Sequence, residues 1–219
     1  FDHKVTRTTT NFFLRSQELL TSPNQSGSSL ANFFTSTADS LPAPNGSTTE
    51  SVKFVSTAST QQGLFLRQAG LSLTTGATYT VSAYVYVPSQ TDVPNNWRLT
   101  VDFQDQNSAD TAVSTVFDQW VRVSATSTLT NNRSFVDLNF RLGDGSAYTG
   151  IAGVTFYVWG VQLEQNPDVG PYVKTTGASA SEVDIESLGL LVEEARTNLL
   201  TESEATSAWG HAGNGISKT

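Results

Sequence analysis

Apolar residues recur at every second position in three separate runs, and that period of two commits most of this chain to half-buried strands. Across 79–87, Tyr79, Val81, Ala83, Val85 and Val87 share one side, while Thr80, Ser82, Tyr84 and Tyr86 share the other. Across 98–104, Leu99, Val101 and Phe103 point inward, and across 135–142 Val136, Leu138, Phe140 and Leu142 do the same. Further strands are expected at 52–55, 64–66, 120–125 and 155–163. Turn-forming residues punctuate the runs: Pro42-Ala43-Pro44-Asn45-Gly46, Thr75-Gly76, Asn95-Asn96, Asn131-Asn132 and Asp144-Gly145. The pattern predicts an all-β fold, an antiparallel β-sandwich, with one short helical piece at 16–20.

Composition narrows the partners. With 12 Phe, 6 Tyr and 4 Trp among 219 residues, the chain has enough large apolar side chains for a core. Its net charge of −8 and the lack of any Lys/Arg cluster argue against nucleic acid, which needs a basic face to displace counterions. No run approaches the ~20 apolar residues of a membrane-spanning helix, so no membrane is expected as a partner. Cysteine is absent, which excludes disulfides and thiolate metal sites. Methionine is absent too, and a chain opening at Phe1 is expected to be processed or part of a longer protein.

One segment repeats. Thr10-Asn11-Phe12-Phe13-Leu14-Arg15-Ser16 returns as Thr197-Asn198-Leu199-Leu200-Thr201-Glu202-Ser203, and each copy is followed by a small residue and an aromatic, Ala31-Asn32-Phe33 and Ala208-Trp209. The expected organisation is the end of an upstream linker at 1–7, one module at 8–178, a linker at 179–196, and the start of a second similar module at 197–219.

The order of these motifs resembles a known family. After the first Thr10–Ser16 motif come Pro44-Asn45-Gly46-Ser47-Thr48-Thr49 and Gly76-Ala77-Thr78-Tyr79-Thr80-Val81-Ser82-Ala83-Tyr84-Val85. Trp120-Val121-Arg122, Trp159-Gly160-Val161-Gln162-Leu163-Glu164 and Pro171-Tyr172-Val173-Lys174-Thr175-Thr176 continue it. The sequence is similar to carbohydrate-binding-like jelly-roll modules of phage tail and fibre proteins, themselves similar to the jelly-roll carbohydrate-binding modules of xylanases and glucanases. The likeness covers nearly the whole chain, including the linker-like 187–198 and Phe1-Asp2-His3. It departs at Phe12-Phe13 and Phe33, where Leu-Leu and Trp are usual. The resemblance implies a galactose-binding-like jelly roll on a virion, and an aromatic at Tyr84 that stacks on a sugar ring.

The residues themselves point the same way. Tyr84 and Tyr86 hold outward positions where a water-facing sheet would carry Thr, Lys or Glu. An aromatic ring buries the C–H face of a pyranose, and planar polar groups serve its hydroxyl edge. Asp102, Gln104, Asp137, Asn139 and Arg141, outward on neighbouring strands, are expected to supply those groups. The alternative is that a loop or neighbouring subunit covers the two tyrosines. Trp120 and Trp159 read as packing residues. Asn24, Asn45 and Asn132 match glycosylation acceptors, but such residues also crowd turns.

Catalysis is not expected. His3 and His211 lie at opposite ends, which leaves no Ser-His-Asp arrangement. Asp102 and Asp137 are the one carboxylate pair to weigh against the about 5–10 Å separation a glycosidase needs, and they read as solvated or sugar-contacting instead. Asp102, Asp105, Asn107 and Asp110 form an oxygen-rich run without the glycine and terminal glutamate of an EF-hand loop. No cofactor is expected, and the structural calcium of related jelly rolls has no assignable ligands here. The functional expectation is a non-catalytic virion module that binds host glycan and other virion proteins, as a homo-oligomer; fibre proteins of this kind are commonly trimers. The alternatives are a purely structural spacer, or a carbohydrate-binding module appended to a polysaccharide-degrading enzyme.

Overall fold

The computed structural model describes residues 3–20, 34–39, 41–57, 63–91, 94–104, 107–143 and 152–187. Phe1-Asp2, Asn24, Ala31-Asn32-Phe33, Asp105, Asp144-Gly145, His211 and the second copy of the repeat lie outside the described residues. Two compact units divide the chain, Val5–Ile185 and one made of Phe1–Lys4 with Glu186–Thr219. The first holds the sandwich.

Eleven strands occur among the described residues: β1 (His3–Asn11), β2 (Phe34–Asp39), β3 (Ser51–Ser56), β4 (Leu64–Leu73), β5 (Thr78–Tyr86), β6 (Trp97–Phe103), β7 (Asn107–Asp110), β8 (Trp120–Thr128), β9 (Arg133–Leu142), β10 (Thr155–Glu164) and β11 (Ala180–Ser187). They form a five-stranded sheet in the order β2-β3-β10-β5-β8, a four-stranded sheet β4-β9-β6-β7, and a two-stranded sheet β1-β11. From β3 to β10 the chain passes back and forth between the two larger sheets, and their ladders are antiparallel. This is a jelly-roll β-sandwich: the period of two predicts the sandwich, and the family resemblance implies the jelly roll. The segment β11 falls within the stretch read as a linker.

The core is the meeting of the two inward faces. Phe156 on β10 stacks on Phe140 of β9 with centroids 4.0 Å apart, and Phe54 and Phe65 close around the pair. Trp97 is fully buried and donates its indole N–H to the Val116 carbonyl at 2.9 Å, so no polar atom of the ring is stranded. At the β4–β5 turn Gly76 adopts φ 78°, and Asn132 Oδ1 accepts from the Thr75 amide at 2.8 Å.

The expected helix at 16–20 is turns instead. Ser16 and Thr175 exchange hydrogen bonds, each amide donating to the other's hydroxyl, and the Ser16 carbonyl accepts from Val161. Those groups tie the segment across the sheet rather than into a helical ladder. Leu19, next along, is fully buried in the core.

Candidate functional site

The outward face of the five-stranded sheet carries most of the aromatic surface. In register across four strands stand Lys53, Tyr157, Tyr86 and Trp120. Tyr86 meets Trp120 and Tyr157 edge-on, each at 5.8 Å between centroids, and Lys53 Nζ lies 6.0 Å from the Tyr157 ring. Trp120 is pinned by its indole N–H, which donates to the Pro42 carbonyl at 2.8 Å. These four side chains are half-buried.

The next row holds Trp159, Tyr84 and Arg122. Trp159 packs on Tyr84 at 5.2 Å and on Tyr172 at 4.6 Å, and the Arg122 guanidinium lies 5.4 Å over the Tyr84 ring. Such ring and cation contacts each add about 0.5–1.5 kcal/mol beyond area burial. Burial pushes the Tyr172 hydroxyl up to about 12, against hydrogen bonds with Ser16 and Gln17 that act the other way.

Beyond that row the sheet is roofed. Ser82, Thr80, Gln162 and Glu164 point outward yet are buried. Gln162 donates to the Pro171 carbonyl at 3.0 Å and accepts from the Val173 amide at 2.7 Å. Glu164 accepts from the Gly170 amide, and Arg122 donates to the Gly170 carbonyl at 2.8 Å. Of the sequence-derived site, Tyr86 is therefore on the open part of this face, while Tyr84 sits at the edge of the roof under Tyr172.

The polar residues expected beside Tyr84 are elsewhere. Asp102, Asp137, Asn139 and Arg141 lie on the outward face of the four-stranded sheet, on the far side of the core. That expectation is corrected: inward and outward alternate as expected on β5, β6 and β9, but β5 belongs to one sheet and β6 and β9 to the other. Within their own sheet these residues have partners of their own. Arg67 grips Asp137, Arg141 Nε donates to Thr100 Oγ1 at 2.8 Å, and Thr100 Oγ1 donates to Asp110 at 2.5 Å. Asn139 stands opposite Thr100, and Asp102 opposite Asp137. Gln104 falls just past β6 in a left-handed conformation (φ 54°) and accepts from the Ser134 amide at 2.9 Å.

One further expectation changes in part. Trp159 is buried and packs on Tyr84 and Tyr172, as a packing residue does, but it and Trp120 face outward, not into the core. Among the described residues, no group of three or more potential acidic or imidazole metal ligands gathers. In the oxygen-rich run Asp110 faces Arg98 at 3.3 Å, a cation already in place beside it.

Sequence reasoning missed Tyr157, Tyr172 and Lys53. The alternation of Phe156 and Val158 with their neighbours signals Tyr157, whereas Tyr172 lies in an irregular segment without a period to read.

Comparison with solved structures finds distant likenesses. A Clostridium thermocellum endo-1,4-β-D-xylanase structure, carrying a carbohydrate-binding and a catalytic-family module complexed with xylohexaose, shares 16% identity at TM-score 0.45, over 80% of this chain. This chain spans only 30% of that structure's length. A xylan-binding domain from Paenibacillus barcinonensis shares 14% identity at TM-score 0.40, over 76% of this chain and 97% of its own. No curated protein matches. A family model described as a carbohydrate binding domain matches residues 19–147, more than half of the chain. The chain belongs to this carbohydrate binding domain family.

Proposed function

We propose that the chain is a non-catalytic module of a phage tail, fibre or capsid-decoration protein, displayed on the virion outside cells, that binds bacterial surface glycan. The observation that carries glycan binding is the register of Trp120, Tyr86 and Tyr157 across β8, β5 and β10. An aromatic row of this kind offers successive apolar surfaces to sugar rings, and Lys53 at its margin offers donors to hydroxyls. The virion setting, and the homotrimer it implies, rest on the order of the sequence motifs and on the recurrence of 10–16 at 197–203.

Calorimetric or NMR titration with bacterial surface polysaccharides tests the reading. Expected is a Kd of about 0.1–1 mM, roughly −4 to −5.5 kcal/mol, weakened at least tenfold in Tyr86→Ala. Failure of every glycan to bind, or binding unchanged in that variant, overturns it. Incubation with the same polysaccharides is expected to release no reducing ends.

A second reading has its own observation: Asp102, Asp137, Asn139, Arg141 and Thr100 gather planar and hydroxyl hydrogen-bonding groups on the opposite face. If that face binds instead, Asn139→Ala weakens the glycan and Tyr86→Ala does not.

A further inference from the structure

A cavity of about 310 Å³ adjoins the aromatic face where residues 17–20 meet the start of β3. Glu50, Lys174, Glu18, Thr49 and Gln17 line it together with the apolar Leu20 and Ala38. Glu50 joins the cavity to the face. Its Oε1 accepts from Lys174 Nζ at 3.1 Å, and its Oε2 accepts from Asn45 Nδ2 at 2.7 Å and from the Trp159 indole N–H at 3.3 Å. Burial raises the Glu50 carboxyl, but hydrogen bonds from Asn45, Lys174 and Trp159 outweigh that and hold it below the ordinary carboxylate range. Gln17 is buried, and its Oε1 has no hydrogen-bond partner.

We infer that this cavity is a separate subsite for a single neutral sugar ring, the terminal unit of a glycan. Its volume sits at the bottom of the ~300–1,000 Å³ range of small-molecule sites, which suits one ring rather than a chain. Both lining carboxylates are already paired, Glu50 with Lys174 and Glu18 with Arg15, so the site favours neither a free anion nor a free cation. A carboxylate acceptor, an ammonium donor and the Thr49 hydroxyl side by side match adjacent sugar hydroxyls, each both donor and acceptor. Leu20 and Ala38 supply the apolar wall for ring C–H groups. Gln17 Oε1 is an unsatisfied acceptor in the lining, and a sugar hydroxyl that reaches it relieves it while the Gln17 amide N–H keeps its bond with Tyr172. The choice of a sugar as ligand rests on the glycan reading above; the cavity and its lining do not.

The Trp159 indole N–H reports on the site because its acceptor is a wall residue. The full chain is titrated with methyl pyranosides of neutral hexoses while the Trp159 indole N–H resonance is followed by NMR. Expected is a saturable shift, with affinity at least fivefold weaker in Lys174→Ala and in Gln17→Leu. Should Gln17→Leu fail to fold, Lys174→Ala, an exposed side chain, carries the test. Absence of a saturable shift with every methyl pyranoside, or equal affinity in Lys174→Ala, overturns the subsite. A long glycan that fails to bind while a methyl pyranoside shifts Trp159 overturns the aromatic-face reading and upholds the cavity. A long glycan that binds while no methyl pyranoside shifts Trp159 overturns the cavity alone.

Discussion

Arg67 holds Asp137 in a bidentate pair across β4 and β9, with Nε and Nη2 each 2.5 Å from a carboxylate oxygen. The guanidinium also lies 4.1 Å over the Phe135 ring, and Asp137 is only 4% exposed. Removing Arg67 strands a buried carboxylate. Arg67→Ala is expected to cost about 2–3 kcal/mol by denaturant unfolding, below the ~3–5 of fully buried pairs because Arg67 stays partly exposed. Arg67→Leu combined with Asp137→Leu is expected to recover most of that loss, since no lone charge remains.

Gly63 permits a close approach just before β4. A Cβ there would sit 1.9 Å from the Phe140 carbonyl oxygen, whose own amide donates to the Gly63 carbonyl at 2.7 Å. The neighbour is backbone and cannot swing away. Gly63→Ala is expected to lower stability by roughly 2 kcal/mol or more, visible as a lower Tm, whereas Gly70→Ala meets open space and strains only its positive φ.

Alkaline stability should depend on Tyr172. Its hydroxyl is raised to about 12, chiefly by burial, against about 10 in an unfolded chain. Between those values the unfolded chain has released the proton and the folded one keeps it. Stability is therefore full below about pH 10 and falls as pH rises toward 12. Tyr172→Phe, which loses the hydrogen bond with Ser16 at 2.6 Å, is expected to lower stability by about 1 kcal/mol at pH 7. Above pH 10 its Tm should decline less steeply than that of the wild type, and equal slopes would contradict the assignment.

The aromatic seam between the sheets is the costliest place to cut. Phe156 touches Phe34, Phe54, Phe65 and Phe140 and is fully buried. Phe156→Ala is expected to lose about 3–5 kcal/mol, and Phe156→Leu markedly less, both measured by denaturant unfolding.

Strand identity and inward phase were legible in the sequence because a period of two is a local property. Sheet membership was not. Nothing in 79–87 or 98–104 says that β5 and β6 lie on opposite sides of the core, and so Tyr84 and Asp102 were grouped on one face. Trp159 shows a second kind of limit. It shares odd spacing with Val161 and Leu163, both in the core, and reads as inward with them. Gly160, at φ 61°, marks a break in the β10–β5 register between Trp159 and Gln162, and the phase resets there. Trp159 thus belongs with outward Tyr157. Tyr172 escaped because its segment is irregular, placed by Ser16, Gln162 and Gly160 from distant parts of the chain.

The first and last segments of the sandwich unit are stitched to each other: the Gly177 amide donates to the Leu14 carbonyl at 2.6 Å, and Thr10 Oγ1 meets Ser181 Oγ at 2.8 Å. The polypeptide thus comes into the sandwich and departs from it at a single doorway. Within a longer polymer such a unit hangs as a pendant, widening the strand that carries it without lengthening it. A pull along that strand is borne first by the β1–β11 clasp, and the two larger sheets are spared until the clasp gives way.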